Sequence, residues 1–148
     1  MKINIKTVVN NTPQKVYEGF DKSLFLALAP PFPVLELLRF DGCDVNDLVE
    51  VRLNFLLFKL QWNAMIIQNE QNNDSFLFVD VGTKLPFFLH KWQHSHYINA
   101  VEGGAKSEII DDIYFTTGFK FTDYLMYPVV YLQFLYRVPI YKKIFNNI

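Results

Sequence analysis

The sequence predicts an α+β protein in which a curved antiparallel sheet wraps a long C-terminal helix, with two short helices after the first strand. Three observations predict it. Apolar and polar residues alternate at the N-terminus and again through most of 34–117, two cap signals separate these stretches, and after Gly118 the apolar period becomes helical. No repeat, low-complexity tract or Gly/Ser linker interrupts the 148 residues, so one domain over 1–148 is expected.

The first strand is read from Ile3, Ile5, Thr7 and Val9, which alternate with Lys2, Asn4 and Lys6. Asn11-Thr12-Pro13 then offers a cap and a proline suited to a first helical turn, with Val16, Tyr17 and Phe20 at helical spacing behind it. Asp21 caps a second short helix carrying Leu24, Phe25 and Leu28, which the prolines from Pro30 to Pro33 end. From 34 to 117 the pattern is β, broken at Asp41-Gly42, at 68–74, at 82–86 and at Gly103-Gly104. Val49, Val51, Leu53 and Phe55 form one dry face, and Phe58, Leu60, Trp62, Ala64 and Ile66 another. Trp92, His94, His96, Ile98 and Ala100 share a face, as do Ile109, Asp111, Ile113 and Phe115.

In the last helix Phe121, Leu125, Val129, Leu132 and Tyr136 recur at steps of three or four, so this stripe is expected to face the sheet. Pro128 and Pro139 are expected to kink the helix or set its limits. Tyr127, Val130, Tyr131, Phe134 and Leu135 make the opposite side apolar as well, which calls for cover from a second subunit or a membrane surface. The late Arg137, Lys142 and Lys143 are read as solvating the helix end.

Composition excludes several classes of function. Lys and Arg total 14 against 15 Asp and Glu, which leaves no broad positive field for nucleic acid. One cysteine, Cys43, rules out an internal disulfide and thiolate zinc spacings, and is read as a small turn residue in a reducing compartment. No apolar signal block follows Met1, so a cytoplasmic location is expected. The most apolar stretch, 124–141, contains Pro128, Gln133, Arg137 and Pro139 and falls short of a transmembrane span. The 15 Phe, 8 Tyr and 2 Trp must fill a core, line an apolar hollow or meet a partner.

All three histidines fall in His90-Lys91-Trp92-Gln93-His94-Ser95-His96-Tyr97, and their even spacing puts them on one strand face. A hairpin at Glu102-Gly103-Gly104-Ala105 then sets Asp111 opposite His96 with a two-residue loop, or opposite His94 with a four-residue loop. Three readings of the cluster stand: a buried polar network fixing register, polar contact points in an apolar hollow, or a metal or acid–base site. A His-x-His pair supplies two ligands, with a third to be sought in His90 or Asp111, and no metal or other cofactor is assigned. No nucleophile with a paired base and no phosphate-binding loop is present, so no catalytic residue is assigned. Trp62, Phe78, Asp80 and Trp92 are read either as lining of the hollow or as sheet core.

The element order, with Trp62 in mid-strand, Phe78-Val79-Asp80, the Trp92-Gln93-His94-Ser95-His96-Tyr97 stretch, Gly103-Gly104 and Asp111-Asp112-Ile113-Tyr114-Phe115, resembles the START-like, helix-grip superfamily called SRPBCC. It resembles most its small bacterial branch of uncharacterised ligand-binding and polyketide cyclase-like proteins. The resemblance implies a sheet of about seven strands gripping the terminal helix around a cavity for a lipid, sterol, polyketide or aromatic metabolite. The expected partner is thus a small hydrophobic or amphipathic molecule. The candidate cavity residues are Trp62, Phe78 and Trp92, then His94, His96 and Asp111, then Ile113 and Phe115, and on the helix Leu125, Val129 and Leu132. Two rival expectations are a cyclase, dehydratase or hydrolase using the cavity histidines as general acid–base groups, and a homodimeric interaction module.

Overall fold

In a computed structural model, residues 1–147 are described. Strand β1 (Lys2–Val9) is followed by helices α1 (Pro13–Glu18) and α2 (Lys22–Ala27). Strands β2 (Val34–Phe40), β3 (Leu48–Asn54), β4 (Lys59–Gln71), β5 (Ser75–Lys84), β6 (Lys91–Val101) and β7 (Lys106–Thr116) come next, then helices α3 (Lys120–Leu135) and α4 (Arg137–Phe145). The seven strands form one antiparallel sheet in the order β1-β7-β6-β5-β4-β3-β2. Helices α1 and α2 therefore carry the chain from one edge of the sheet to the other. Register shifts in the β2–β3 and β4–β5 ladders add local bend and twist to the sheet.

Local chemistry accounts for these elements. Alternation in β1 yields alternating exposed and buried residues along its whole length. Pro13 opens α1 behind the Thr12 cap, and the Asp21 carboxylate accepts from the Leu24 backbone N–H at 2.8 Å to start α2. Gly103 and Gly104 take positive φ angles of 68° and 89° in the β6–β7 turn, where a side chain would be strained.

Several boundaries differ from expectation. Strand β5 runs through Gly82 to Lys84, where a break is expected, because Gly82 and Lys84 still pair with Ala64 and Asn63 on β4. Phe55 and Phe58 belong to a tight turn, closed by the Phe55 N–H on the Phe58 carbonyl at 2.9 Å, rather than to the flanking strands. Strand β4 runs on to Gln71, because its polar residues lie on a paired strand whose side chains meet solvent. The terminal helix is divided at Tyr136. Pro139 cannot donate to the Leu135 carbonyl four residues earlier, and its ring crowds that carbonyl. Pro128 sits inside α3 without ending it; the carbonyl it leaves free, at Tyr124, lies on an exposed residue.

The concave face of the sheet carries two apolar clusters. Val9, Val16, Leu24, Phe76, Ile98, Ile109, Tyr141 and Phe145 form one, and Ile3, Ile5, Trp92, Ile113, Phe115, Val130 and Phe134 the other. The helix face turned to the sheet is therefore Val130 and Phe134, continued by Tyr141 and Phe145 on α4. This corrects the expected stripe: Leu125 is 57% and Leu132 61% exposed, as are Phe121, Val129 and Tyr136 in large part. A helix apolar on both sides does not declare its phase, and Asp123 sets it instead. Its carboxylate accepts from the Thr117 backbone N–H at 2.6 Å and from the Thr116 hydroxyl, which pins the first turn of α3 to the end of β7. Among the described residues no helix is long and apolar enough to cross a membrane.

Candidate functional site

Between the two apolar clusters a row of polar side chains crosses the concave face. Strand β6 contributes His94 and His96 between Trp92 and Ile98, β7 contributes Asp111 between Ile109 and Ile113, and β5 contributes Asp80. The ladder places Asp111 opposite His96 and Asp80 opposite His94. The bonds run diagonally instead: His94 Nε2 lies 2.8 Å from Asp111 Oδ1, and His96 Nε2 lies 3.2 Å from Asp80 Oδ2. The hairpin realises the register expected from a two-residue loop, although the residues left unpaired are the four from Glu102 to Ala105.

Both carboxylates are anionic acceptors, so each histidine donates from Nε2. Burial opposes the charge on Asp80, but the hydrogen bond from His96 and the positive field of His94 and Arg137 outweigh it and hold the carboxyl below its ordinary range. The same contest at Asp111, with His94 as the bonded partner, has the same outcome. His96 is lowered to about 4, first by burial and then by His94, against the pull of Asp80 and Asp111, so its ring is neutral at pH 7. Its Nδ1 is buried and has no hydrogen-bond partner; the nearest carboxylate oxygen, Asp111 Oδ1, is 3.7 Å away. The Tyr141 hydroxyl donates to Asp111 at 3.4 Å, and its pKa is raised, chiefly by burial.

Aromatic rings fix the imidazoles in place. Phe78 stacks on His96 with centroids 4.1 Å apart and planes 13° from parallel, and Phe134 meets His94 edge-on at 4.8 Å. Trp62 and Trp92 pack edge to face at 4.7 Å.

The row opens on a cavity of about 450 Å³ between β2–β6, α2 and the α3–α4 helix, within the range of small-molecule sites. Its wall is mostly apolar and includes Phe20, Val51, Leu53, Trp62, Phe78 and Trp92. Its polar points include Asp80, His94, His96, Gln133 and Arg137. Of the candidates drawn from sequence, Trp62, Phe78, Trp92, His94, His96 and Val129 line this space. Asp111 lies behind the histidines, Ile113 and Phe115 are fully buried core, and Leu125 and Leu132 face outward. Arg137 is a correction: it does not solvate a helix end but stands at the start of α4, over the Phe134 ring at 4.1 Å and on the cavity wall. Its place one turn after Phe134 on the buried stripe is the sequence signal that marks it. Cys43 lines the cavity too, donates to the Phe20 carbonyl at 3.5 Å, and has its thiol pushed up to about 12, chiefly by burial.

A sheet of seven antiparallel strands closed over a C-terminal helix, with short helices beside it, is the arrangement of known solved proteins. Norcoclaurine synthase from Thalictrum flavum, in a complex with a transition state analogue, matches with a TM-score of 0.69 at 12% identity, over 97% of this chain and 92% of that one. The chain has the helix-grip fold. An aromatase/cyclase from a Streptomyces species shares it at a TM-score of 0.67 and 11% identity, over 95% of this chain and 90% of that one. A protein from Chromobacterium violaceum shares it at 0.70 and 15% identity, over 99% of both chains. The first two of these helix-grip proteins are members of the SRPBCC superfamily. No protein-family profile and no curated protein matches the sequence.

Proposed function

We propose that this helix-grip protein binds one small hydrophobic or amphipathic molecule, such as a lipid, polyketide or aromatic metabolite, in the cavity between its sheet and terminal helix. The observation that carries this reading is a space of about 450 Å³ walled by aromatic and aliphatic side chains, with Asp80, His94, His96 and Arg137 gathered at one side. An apolar body gains roughly 2.5 kcal/mol for each 100 Å² removed from water, and the polar groups orient its polar end. The working location is the cytoplasm, which suits the lone thiol of Cys43.

Native mass spectrometry of protein purified gently from its own host tests the reading: a retained organic molecule of defined mass is expected. Quenching of Trp62 and Trp92 fluorescence by a panel of lipids and aromatic compounds gives a second readout, since both rings line the cavity. No retained mass and no quenching by any probe removes the proposal.

An enzymatic reading, a cyclase, dehydratase or hydrolase with a cavity histidine as general acid–base, is favoured by one observation. His96 is neutral at pH 7 and keeps a buried nitrogen lone pair without a partner. Turnover on a polyketide or ester panel, lost in His96→Gln, is the expected outcome of that reading; inactivity across the panel removes it. The homodimer reading rests on the exposed face of α3, with Phe121, Leu125 and Leu132 outward, and a monomeric mass at about 100 μM removes it.

A further inference from the structure

We infer that Asp80, His94 and His96 form a binding site for a divalent first-row transition ion of the zinc type, with Asp111 as the carboxylate that orients the two imidazoles. The site stands on this cluster alone and does not depend on what the cavity binds.

One potential ligand atom from each of the three residues lies within 4.8 Å of the other two. His96 Nε2 is 3.2 Å and His94 Nδ1 3.7 Å from the same oxygen, Asp80 Oδ2. Ligand atoms about 2.0–2.1 Å from a tetrahedral zinc are separated from each other by about 3.3 Å, so Asp80 Oδ2 already stands near that spacing from both nitrogens, and closing the two nitrogens about it completes the set. Two imidazoles and one carboxylate are a borderline-hard donor set that suits zinc, cobalt or iron rather than calcium or magnesium. All three residues also line the cavity, so the remaining coordination position faces a space that a water or an oxygen atom of a ligand can enter.

The outer contacts fit the same purpose. His94 donates Nε2–H to Asp111 at 2.8 Å, which leaves Nδ1, on the side of Asp80, as the ring nitrogen that can take a metal in place of a proton. His96 is the telling residue. Without metal its Nε2–H points at Asp80, and its Nδ1 is buried with no partner, 3.7 Å from Asp111 Oδ1. When a metal takes Nε2, the single ring proton moves to Nδ1 and is aimed at Asp111. One tautomer change, with Nδ1 closing on Asp111 from 3.7 Å, then gives the orphaned nitrogen a partner, with no net gain or loss of protons on His96. His90, the alternative third ligand sought from sequence, is exposed and its Cβ packs beside Gly118 at the end of β7.

Full-length protein freed of metal with EDTA and titrated with Co²⁺ is expected to take up one equivalent and develop the visible absorption of a four- or five-coordinate site. Asp80→Asn and His96→Gln should each weaken binding by at least about 100-fold, and Asp111→Asn by about 10- to 100-fold with the stoichiometry kept. His90→Ala should leave the titration unchanged. In the wild type, long-range ¹H–¹⁵N spectra of the imidazoles should show the His96 proton move from Nε2 to Nδ1 on adding Zn²⁺, which tests the site even if a variant fails to fold. No saturable binding below about 1 mM, undiminished binding in folded Asp80→Asn, or a His96 proton that stays on Nε2 overturns the proposal.

Discussion

Acid should destabilise the metal-free protein well above the range in which its carboxylates titrate, and His96 should be the cause. In the unfolded chain the imidazole titrates near 6.5, whereas in the folded chain it is lowered to about 4 by burial and by His94. Between these values the unfolded state takes up a proton that the folded state refuses, so unfolding becomes easier as pH falls. The groups facing His96 are Asp80 from β5, His94 from its own strand and Asp111 from β7, and Arg137 from α4 acts on the two carboxylates. Both carboxylates are held below 3.8, so they stay charged from pH 7 to pH 5 and their own losses come at lower pH. A gap of about 2.5 pH units is worth roughly 3 kcal/mol at its limit, of which about 2 kcal/mol is lost between pH 7 and pH 5. For a chain of this length that lowers the melting temperature by about 4–8 °C. Urea unfolding in EDTA at pH 7 and pH 5 measures it, and His96→Gln should flatten the pH dependence whatever its effect on absolute stability. Equal stability at the two pH values, or a dependence that survives in His96→Gln, refutes the reasoning.

Three further outcomes are expected. Phe134→Ala should cost about 3–5 kcal/mol by opening the contact with Trp92 and His94, while Leu132→Ala, exposed on the other side of the same helix, should change stability by less than about 0.5 kcal/mol; chemical denaturation of the pair checks the phase assigned to α3. Ala64→Phe places a ring from β4 in the cavity, and probe quenching of tryptophan fluorescence should weaken by tenfold or more with the fold retained by circular dichroism; undiminished probe binding would put the ligand elsewhere. Because the Cys43 thiol is pushed up to about 12, its reaction with a disulfide reagent at pH 8 should be far slower than that of a free thiol and should reach the free rate only in denaturant.

Much of this molecule was legible because most of its strands carry one dry and one wet face. Alternation along β1, β6 and β7 gave both the strands and the inward set Ile3, Ile5, Trp92, His94, His96, Ile109, Asp111 and Ile113, all of which are buried. Period fixes which residues share a face, but where two faces are equally apolar it does not say which face is inside. On α3, the rows through Leu125 and Leu132 and through Val130 and Phe134 have the same composition, and only Asp123, bonded to Thr116 and Thr117, and Arg137, over Phe134, mark the buried one. Both are polar residues that a search for apolar stripes sets aside.

The same limit hides the partners within the polar row from the sequence. Register names the residue opposite, so it pairs Asp111 with His96 and Asp80 with His94. Each histidine instead bonds the carboxylate two residues along, and both diagonals lean the same way across the sheet. A uniformly twisted sheet brings one of the two diagonals closer, and long side chains such as His and Asp reach along it. The skew has a chemical consequence. Had each histidine bonded the carboxylate opposite, the result would be two separate pairs; the lean lays the imidazoles together at 3.6 Å between centroids and sets each within 4 Å of both carboxylates. Four residues from three strands thus act as one unit, and a change at any of them should be felt at the other three.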